Sequence, residues 1–382
     1  MSNAEKDARL ACSRLSIDLG ALAHNWTYLA SKAGKAECGA AIKGDGYGTG
    51  LAKAAQALFT AGCRTFFTAV PEEGLEARAA CPEARVFVLG GLLPDAAHLY
   101  HQAGLIPVLN CVAEIRDWAD YCASIDTPLP AAIHLDTGMN RMGLTLDEAK
   151  ALSADGNLLG CFEPVLMMSH LYCGGDPDTA VSARQLQRFK DMTALFPGVP
   201  RSLANSAGIF LGPDYHFEVA RPGISLYGGA AMDDGENPMK PVATAEARIL
   251  MLRDGFKGET IGYGASQTLT RDSRIAILGI GYADGYHRLA GTGGPQGPAN
   301  AWINGHTVPL LGRVSMDLIA VDVTDVPEDA CKRGDWVEMF GPHISVDEVA
   351  AKALTIGYEL LTGLGRRYRR SYINAPQDNT VR

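Results

Sequence analysis

Short apolar runs alternate with helix-like stretches from about residue 36 to residue 230. The strand candidates are Cys38–Ile42, Thr65–Val70, Val86–Leu89, Ile106–Leu109, Ala131–Leu135, Val165–Met168, Ser202–Ala204 and Glu218–Ala220. Between them lie Leu51–Ala61, Pro71–Ala80, Val112–Ser124 and Ala180–Phe196. The first of these sets Leu51, Ala54, Ala55 and Leu58 at helical spacing, one apolar face on a 3.6-residue period. About eight strand–helix units of roughly 25 residues each fit a (β/α)8 TIM-type barrel, with a doubly wound open sheet as the competing α/β architecture. The texture changes after residue 242. Apolar and polar residues alternate in Glu246–Leu252, Arg274–Ile280, Ala301–Leu311 and Leu318–Val323, and Asn304-Gly305 between two such half-runs predicts a tight hairpin. Only Val346–Leu361 reads as a helix there. The expected organisation is therefore a barrel over 1–242 followed by a mostly antiparallel β domain over 243–382. The strand-like run Arg14–Leu19 precedes the first barrel unit and is a candidate to pair with the second domain.

Length and composition narrow the classes. A chain of 382 residues suggests two domains, and an apolar share of 47% against 20% charged residues is that of a folded chain. The net charge of −9 argues against broad binding of a nucleic-acid backbone. No run approaches the roughly 20 apolar residues of a membrane helix. The opening MSNAEKDARLACSRL lacks the apolar core of a signal peptide, so a cytoplasmic location is expected. The nine cysteines are scattered with no Cys-x-x-Cys pair, which points to free thiols rather than a metal cluster or a disulfide framework.

Barrel chemistry belongs at the C-terminal ends of strands. Lys43 ends an apolar strand and opens the glycine-rich Gly44-Asp45-Gly46-Tyr47-Gly48-Thr49-Gly50; partial desolvation of such a lysine suits Schiff-base chemistry. Later strand ends carry His134 to Arg141, Ser169-His170, the small-residue turn Ala204-Asn205-Ser206-Ala207-Gly208 and Arg221-Pro222-Gly223-Ile224. Each alone also fits an ordinary role: a solvated lysine, a core histidine, a paired surface arginine. Together they set a lysine, further cations and a turn suited to phosphate around one barrel mouth.

In this combination the chain resembles the alanine racemase family of fold-type III pyridoxal-phosphate enzymes. The matching segments are AAIKGDGYGTG, HLDTGMNRMG, MSHLYCGGD, ANSAG, RPGISLYG, GETIGYGASQT, GIGYADGYHR, GRVSMDL and GYELLTGLGRRYRR, in the family's order. The resemblance implies a pyridoxal 5'-phosphate barrel followed by a β domain, and a homodimer with shared active sites. It implies that Lys43 links covalently to the cofactor, with Tyr47 beside it. Ser206, the backbone of Gly223 and Ile224, and Tyr358 resemble the phosphate-binding set, and Arg221 the group facing the ring nitrogen. Arg141 and Met316 resemble substrate contacts, and Tyr282 a residue of the entrance. Tyr263 of the partner subunit matches a second base opposite Lys43, and His170 its hydrogen-bonding neighbour. The activity implied is interconversion of L- and D-alanine for peptidoglycan, with no resident metal. A broader amino-acid racemase, acting for example on serine, and a non-catalytic pyridoxal-phosphate-binding protein are the alternatives.

Four positions depart from the family pattern. His134 stands where many relatives have a lysine, often carbamylated, whose negative charge positions the arginine; a bound anion or a nearby carboxylate is the expected substitute. Asn140 replaces a glycine before Arg141, Ser202 replaces a histidine expected to support Arg221, and Ser315 replaces a cysteine before Met316. The basic run Arg366 to Arg370 is read as a solvated tail or an interface patch.

Overall fold

The computed structural model describes residues 8–376, which divide into two units. The first seven residues of the opening segment, read above for targeting signals, lie outside the described residues.

The larger unit, Leu22–Leu226 with Ala230–Met239, is built on parallel strands. Seven strands lie in the order Ala40–Ala41, Thr65–Thr68, Arg85–Val88, Ile106–Leu109, Pro130–His134, Glu163–Met168 and Arg201–Ser202, each parallel to the next. The eighth, Val219–Ala220, pairs with Glu37–Cys38, which continues through Gly39 into Ala40–Ala41. Backbone bonds from Glu218 N to Arg201 O (3.1 Å) and from Arg221 N to Ala204 O (2.8 Å) join the eighth strand to the seventh. The ring is thus closed, as in a (β/α)8 barrel. The single run Cys38–Ile42 is two strands because it changes partner at Gly39. A Cβ there would sit 2.9 Å from the Phe67 ring and 3.0 Å from the Thr65 carbonyl, so glycine permits the crossing. Thr65–Thr68 and Ile106–Leu109 are buried at every position, which explains why they read as continuous rather than alternating runs. One helix buries the predicted face of Leu51, Ala54, Ala55 and Leu58, and another buries Ile115, Trp118, Ala119 and Cys122. The helix expected over Ala180–Phe196 ends at Thr193.

The smaller unit comprises the described residues up to Ala21, Tyr227–Gly229 and Lys240–Ala375. The strands Ser273–Leu278, Ile319–Asp322, His306–Leu311, Asn300–Ile303, Trp336–Phe340 and Ala243–Gly255 pair in succession, and the last returns to the first. The result is a closed antiparallel barrel. Asn304 (φ 45°) and Gly305 (φ 91°) form its tight hairpin turn. Ser13–Asp18 alternates buried and half-buried residues and lies between Ala243–Gly255, antiparallel, and Arg369–Ile373, parallel. The boundary therefore differs from a cut after residue 242: Leu15 and Ile17 are fully buried in the β unit, not in the parallel barrel. The helix expected over Val346–Leu361 is two, Val346–Lys352 and Gly357–Thr362, because the chain turns at Leu354 with φ 56°.

Candidate active site

Lys43 follows the buried Ala41-Ile42 at the end of the first barrel strand and is half-buried. Burial lowers its pKa; the guanidinium groups of Arg141 and Arg221 lower it further, while Glu73 opposes them. The following residues are not an ordinary helix. Gly44, Asp45 and Gly46 (φ 65°, 54° and 60°), Tyr47 (φ 52°) and Gly48 (φ 77°) form one left-handed turn. Bonds from Gly46 N to Ile42 O (2.9 Å) and from Gly48 N to Gly44 O (2.7 Å) close it. Only glycine enters this region without steric penalty, so Asp45 and Tyr47 hold strained conformations.

The turn buries Tyr47, and its hydroxyl lies against Gly223 so closely that any Cβ on Gly223 would overlap it. Beside that contact, Ser206 Oγ accepts from Gly223 N (2.9 Å) and Ser225 N (3.3 Å). Asn205 caps the short helix Ser206–Phe210 through Gly208 N (3.0 Å), fixing Ser206 at its first position. Ser225 Oγ is buried and has no hydrogen-bond partner among the described residues. The amides of Gly223 and Ser225 thus converge on the Ser206 hydroxyl beside that of Ser225 in one buried corner; Ile224 continues the turn between them and is itself buried.

Arg221 is 5% exposed. Its guanidinium donates to Ser169 O (2.5 Å) and to Ser202 Oγ, which in turn donates to Val219 O (2.5 Å). Ser202 therefore supplies the support that a histidine was expected to give. Burial lowers the arginine to about 10, leaving it charged at neutral pH. The neighbouring strand ends are joined by Gln185, which sequence reading did not single out. Its Nε2 donates to Thr137 Oγ1 (2.9 Å) and His170 O (2.9 Å), and its Oε1 accepts from Tyr172 N (3.2 Å). Burial and the surrounding cations hold His170 neutral, at about 3.

His134 meets an amide rather than a carboxylate. Its Nδ1 lies 2.7 Å from Asn110 Oδ1. Asn110 Nδ2 already donates to Val108 O (2.7 Å) and Leu89 O (3.2 Å), so its oxygen must accept and His134 Nδ1 must carry the proton. Burial, then Arg221 and Arg141, lower the ring to about 4, so His134 is neutral. Asp136 is the neighbouring carboxylate; its Oδ1 accepts from Gly138 N (2.8 Å) and Asn140 N (3.2 Å) and shapes the loop leading to exposed Arg141. Asn140 adopts φ 55°, a conformation that asparagine tolerates at the position where the family pattern led us to expect glycine. Asn110 was legible only as the residue after a barrel strand.

The β unit carries the remaining candidates on exposed side chains over a pinned backbone. Tyr263 is 71% exposed at the tip of the hairpin Thr260–Ile261/Gln267–Thr268. Gln267 Oε1 anchors that hairpin by accepting from Gly312 N (2.7 Å) and Thr292 Oγ1 (2.5 Å). A groove of about 450 Å³ lined by Ile261, Ile275, Leu311 and Leu318 adjoins Tyr263. Met316 and Tyr282 are exposed on two loops joined by bonds from Tyr282 N to Ser315 O (3.0 Å) and Ala283 N to Met316 O (3.0 Å). Ser315 Oγ closes its turn on Leu318 O (2.7 Å). Tyr358, 38% exposed, lies on the helix Gly357–Thr362. The basic run is not simply solvated: Arg367 pairs with buried Asp284 (2.6 Å) and with Asp317 (2.6 Å). Among the described residues no cluster of three or more His, Cys, Asp or Glu is placed to hold a metal ion, and no helix is long and apolar enough to cross a membrane.

Comparison with known proteins covers nearly the whole chain. Residues 17–231 match the alanine racemase N-terminal domain and residues 242–372 the alanine racemase C-terminal domain. The chain is 48% identical to an alanine racemase of Rhizobium meliloti over 95% of its length and 97% of that protein's. It is 49% identical to one of Methylobacterium nodulans, covering 94% of this chain and 96% of that one. Among solved structures, an alanine racemase of Bartonella henselae with covalently bound pyridoxal phosphate superposes with a TM-score of 0.89 at 39% identity, covering 95% of this chain and all of that one. With both domain models matched in order and identities near one half, the chain belongs to the alanine racemase family, enzymes that are isomerases of amino acids.

Proposed function

We propose that this chain interconverts L- and D-alanine with pyridoxal 5'-phosphate held at the barrel mouth. The observation that carries the reading is the placing of half-buried Lys43, with its lowered pKa, on the same strained turn as Tyr47, whose hydroxyl abuts the amide corner of Ser206, Gly223 and Ser225. That corner suits a phosphate: Ser206 Oγ, accepting from two amides, keeps its proton to donate, and the buried Ser225 hydroxyl lacks a partner among the described residues. Ser206, Gly223 and Ile224, with Tyr47 and Tyr358, would hold the cofactor, and Arg221 would face its ring nitrogen.

The cofactor, when bound, supplies the electron sink that makes an amino acid's α-proton acidic. Lys43 Nζ takes or returns that proton. Its ordinary pKa is too high for a base at neutral pH, and burial with two guanidinium groups lowers it toward the working range. Arg221, held charged in its socket, donates and cannot practically give up a proton. Arg141 orients the substrate carboxylate, and Met316 offers a further contact. Inversion needs a second group on the opposite face, and Tyr263 of the partner subunit is assigned that part in a homodimer, with His170 as its hydrogen-bonding neighbour and Tyr282 at the entrance. The product would supply peptidoglycan synthesis in a bacterial cytoplasm.

The test is a chiral assay of purified, cofactor-loaded protein on L-alanine and L-serine, with Lys43→Ala beside it. Inversion of alanine, abolished in the variant, is expected. Inversion of serine alone would move the assignment to a different amino-acid racemase, and no inversion of either would overturn it.

A further inference from the structure

The left-handed turn after Lys43 is closed by its own backbone bonds and by Asp45 Oδ1, which accepts from Leu51 N (2.9 Å). Two side-chain-bearing residues, Asp45 and Tyr47, sit in a conformation that L residues avoid, so each bond that holds the turn in place offsets strain. The amides at its start also need acceptors, as at any helix N-terminus.

Both needs converge on Glu73. Its Oε1 accepts from Gly44 N (2.6 Å) and Asp45 N (3.2 Å), and its Oε2 accepts from Ala69 N (2.8 Å) at the end of the adjoining strand. Glu73 is the third residue of the helix Pro71–Ala80. A glutamate there ordinarily folds back on its own helix start. Here one oxygen does so and the other reaches across to the neighbouring strand end. Glu114, third in the helix Val112–Ser124, repeats the pattern: its Oε2 accepts from Asn110 N (2.8 Å), and its carboxylate lies against Gly91, after the preceding strand. The recurrence marks a built bracket rather than a chance contact. One copy braces the strand end bearing Lys43, the other the strand end bearing Asn110, the partner of His134.

We propose that Glu73 is a positioning residue for the reaction: its carboxylate clamps the left-handed turn and thereby aims the Lys43 amine. The proposal rests on the reading that Lys43 is the reactive amine. Glu73 also acts on that amine through charge, since it is the anion that opposes burial and the two arginines at Lys43. Removing the carboxylate releases one or both turn amides and lets the Lys43 pKa fall further.

The test compares Glu73→Gln with wild type and with Glu148→Gln, a control whose carboxylate accepts from Thr145 in the capping box of the helix Leu146–Ala154. Three readouts are taken on the full-length protein. Amide exchange at Gly44 and Asp45, in cofactor-free protein, should speed up roughly 10- to 100-fold in Glu73→Gln, the loss expected for hydrogen bonds to a charged acceptor. The pH dependence of Lys43 labelling by trinitrobenzenesulfonate should move to lower pH. In the cofactor-loaded enzyme kcat should fall roughly 10- to 100-fold with KM little changed, as for a misaligned catalytic group. Glu148→Gln should lower the melting temperature and move none of the three. Wild-type exchange and labelling in a folded Glu73→Gln protein would overturn the proposal, as would equal changes in the Glu148→Gln control. If wild type inverts no amino acid, the proposed function fails, while exchange and labelling still decide the role of Glu73.

Discussion

The two units hold their candidate groups in opposite ways. In the parallel barrel, Arg221 and Ser206 are buried and tied by their side chains into bonds between strand ends, and the backbone of half-buried His170 is held by Gln185, so position and charge state are set by packing. In the β unit, Tyr263, Met316 and Tyr282 stand exposed, and what is fixed is the backbone beneath them, through Gln267 and the bonds from Tyr282 N to Ser315 O and from Ala283 N to Met316 O. Buried groups cannot be altered without disturbing the fold; exposed groups on a pinned backbone can. Substitutions should therefore separate chemistry from stability in the β unit and couple them in the barrel.

The largest effects test that division. Lys43→Ala should abolish covalent cofactor attachment and lower turnover by at least about 10³-fold. Tyr263→Phe should lower turnover by about 10²- to 10⁴-fold while leaving the melting temperature within a degree or two, because its side chain is 71% exposed. A large loss of stability in Tyr263→Phe, seen by calorimetry, would break the comparison. Gly223→Ala should do both kinds of damage. The added methyl collides with the Tyr47 hydroxyl, costing about 1–3 kcal/mol of stability, and weakens cofactor retention measured by dialysis and absorbance. Unchanged melting and retention would show that the turn yields more easily than its packing implies.

The smallest effect is on pH. His134 and His170 stay neutral in the folded barrel down to about 4 and about 3, whereas in the unfolded chain both titrate near 6.5. As pH falls below about 6.5 the unfolded state takes up protons that the folded state refuses, so these groups cost stability progressively toward pH 4. His134→Asn should recover roughly 2 kcal/mol of that acid-induced loss at pH 4.5 relative to its own stability at pH 7. Parallel melting curves for variant and wild type over this range would contradict the assignment of a buried neutral histidine.

Much of this was legible because the relevant physics is local. The apolar face of Leu51, Ala54, Ala55 and Leu58 specifies a helix, and Asn304-Gly305 specifies its hairpin, from a few neighbouring residues. Lys43, Arg221 and Ser206 could be nominated because each follows an apolar strand. What escaped depends on residues distant in sequence. The amides that open the left-handed turn are met by Glu73; Asn110 is noticeable only once His134 packs against it; Gln185 matters only when two loops converge on it. The departures from the family pattern became intelligible in the same way: Ser202 replaces the expected support because its hydroxyl reaches Arg221, and Asn140 serves because asparagine accepts a positive φ. A faint signal was present for Glu73 and Glu114, each a glutamate four residues past the residue that follows a barrel strand.

The central claim, that the α-carbon of alanine is inverted by proton removal and return, is tested most directly by incubating the cofactor-loaded protein with L-alanine in deuterium oxide. Proton NMR and chiral chromatography then report on the same sample. The account predicts D-alanine carrying deuterium at the α-carbon, approaching equal amounts of the two enantiomers with no carbon dioxide released. Alanine recovered wholly as the L form with its α-proton intact would contradict it.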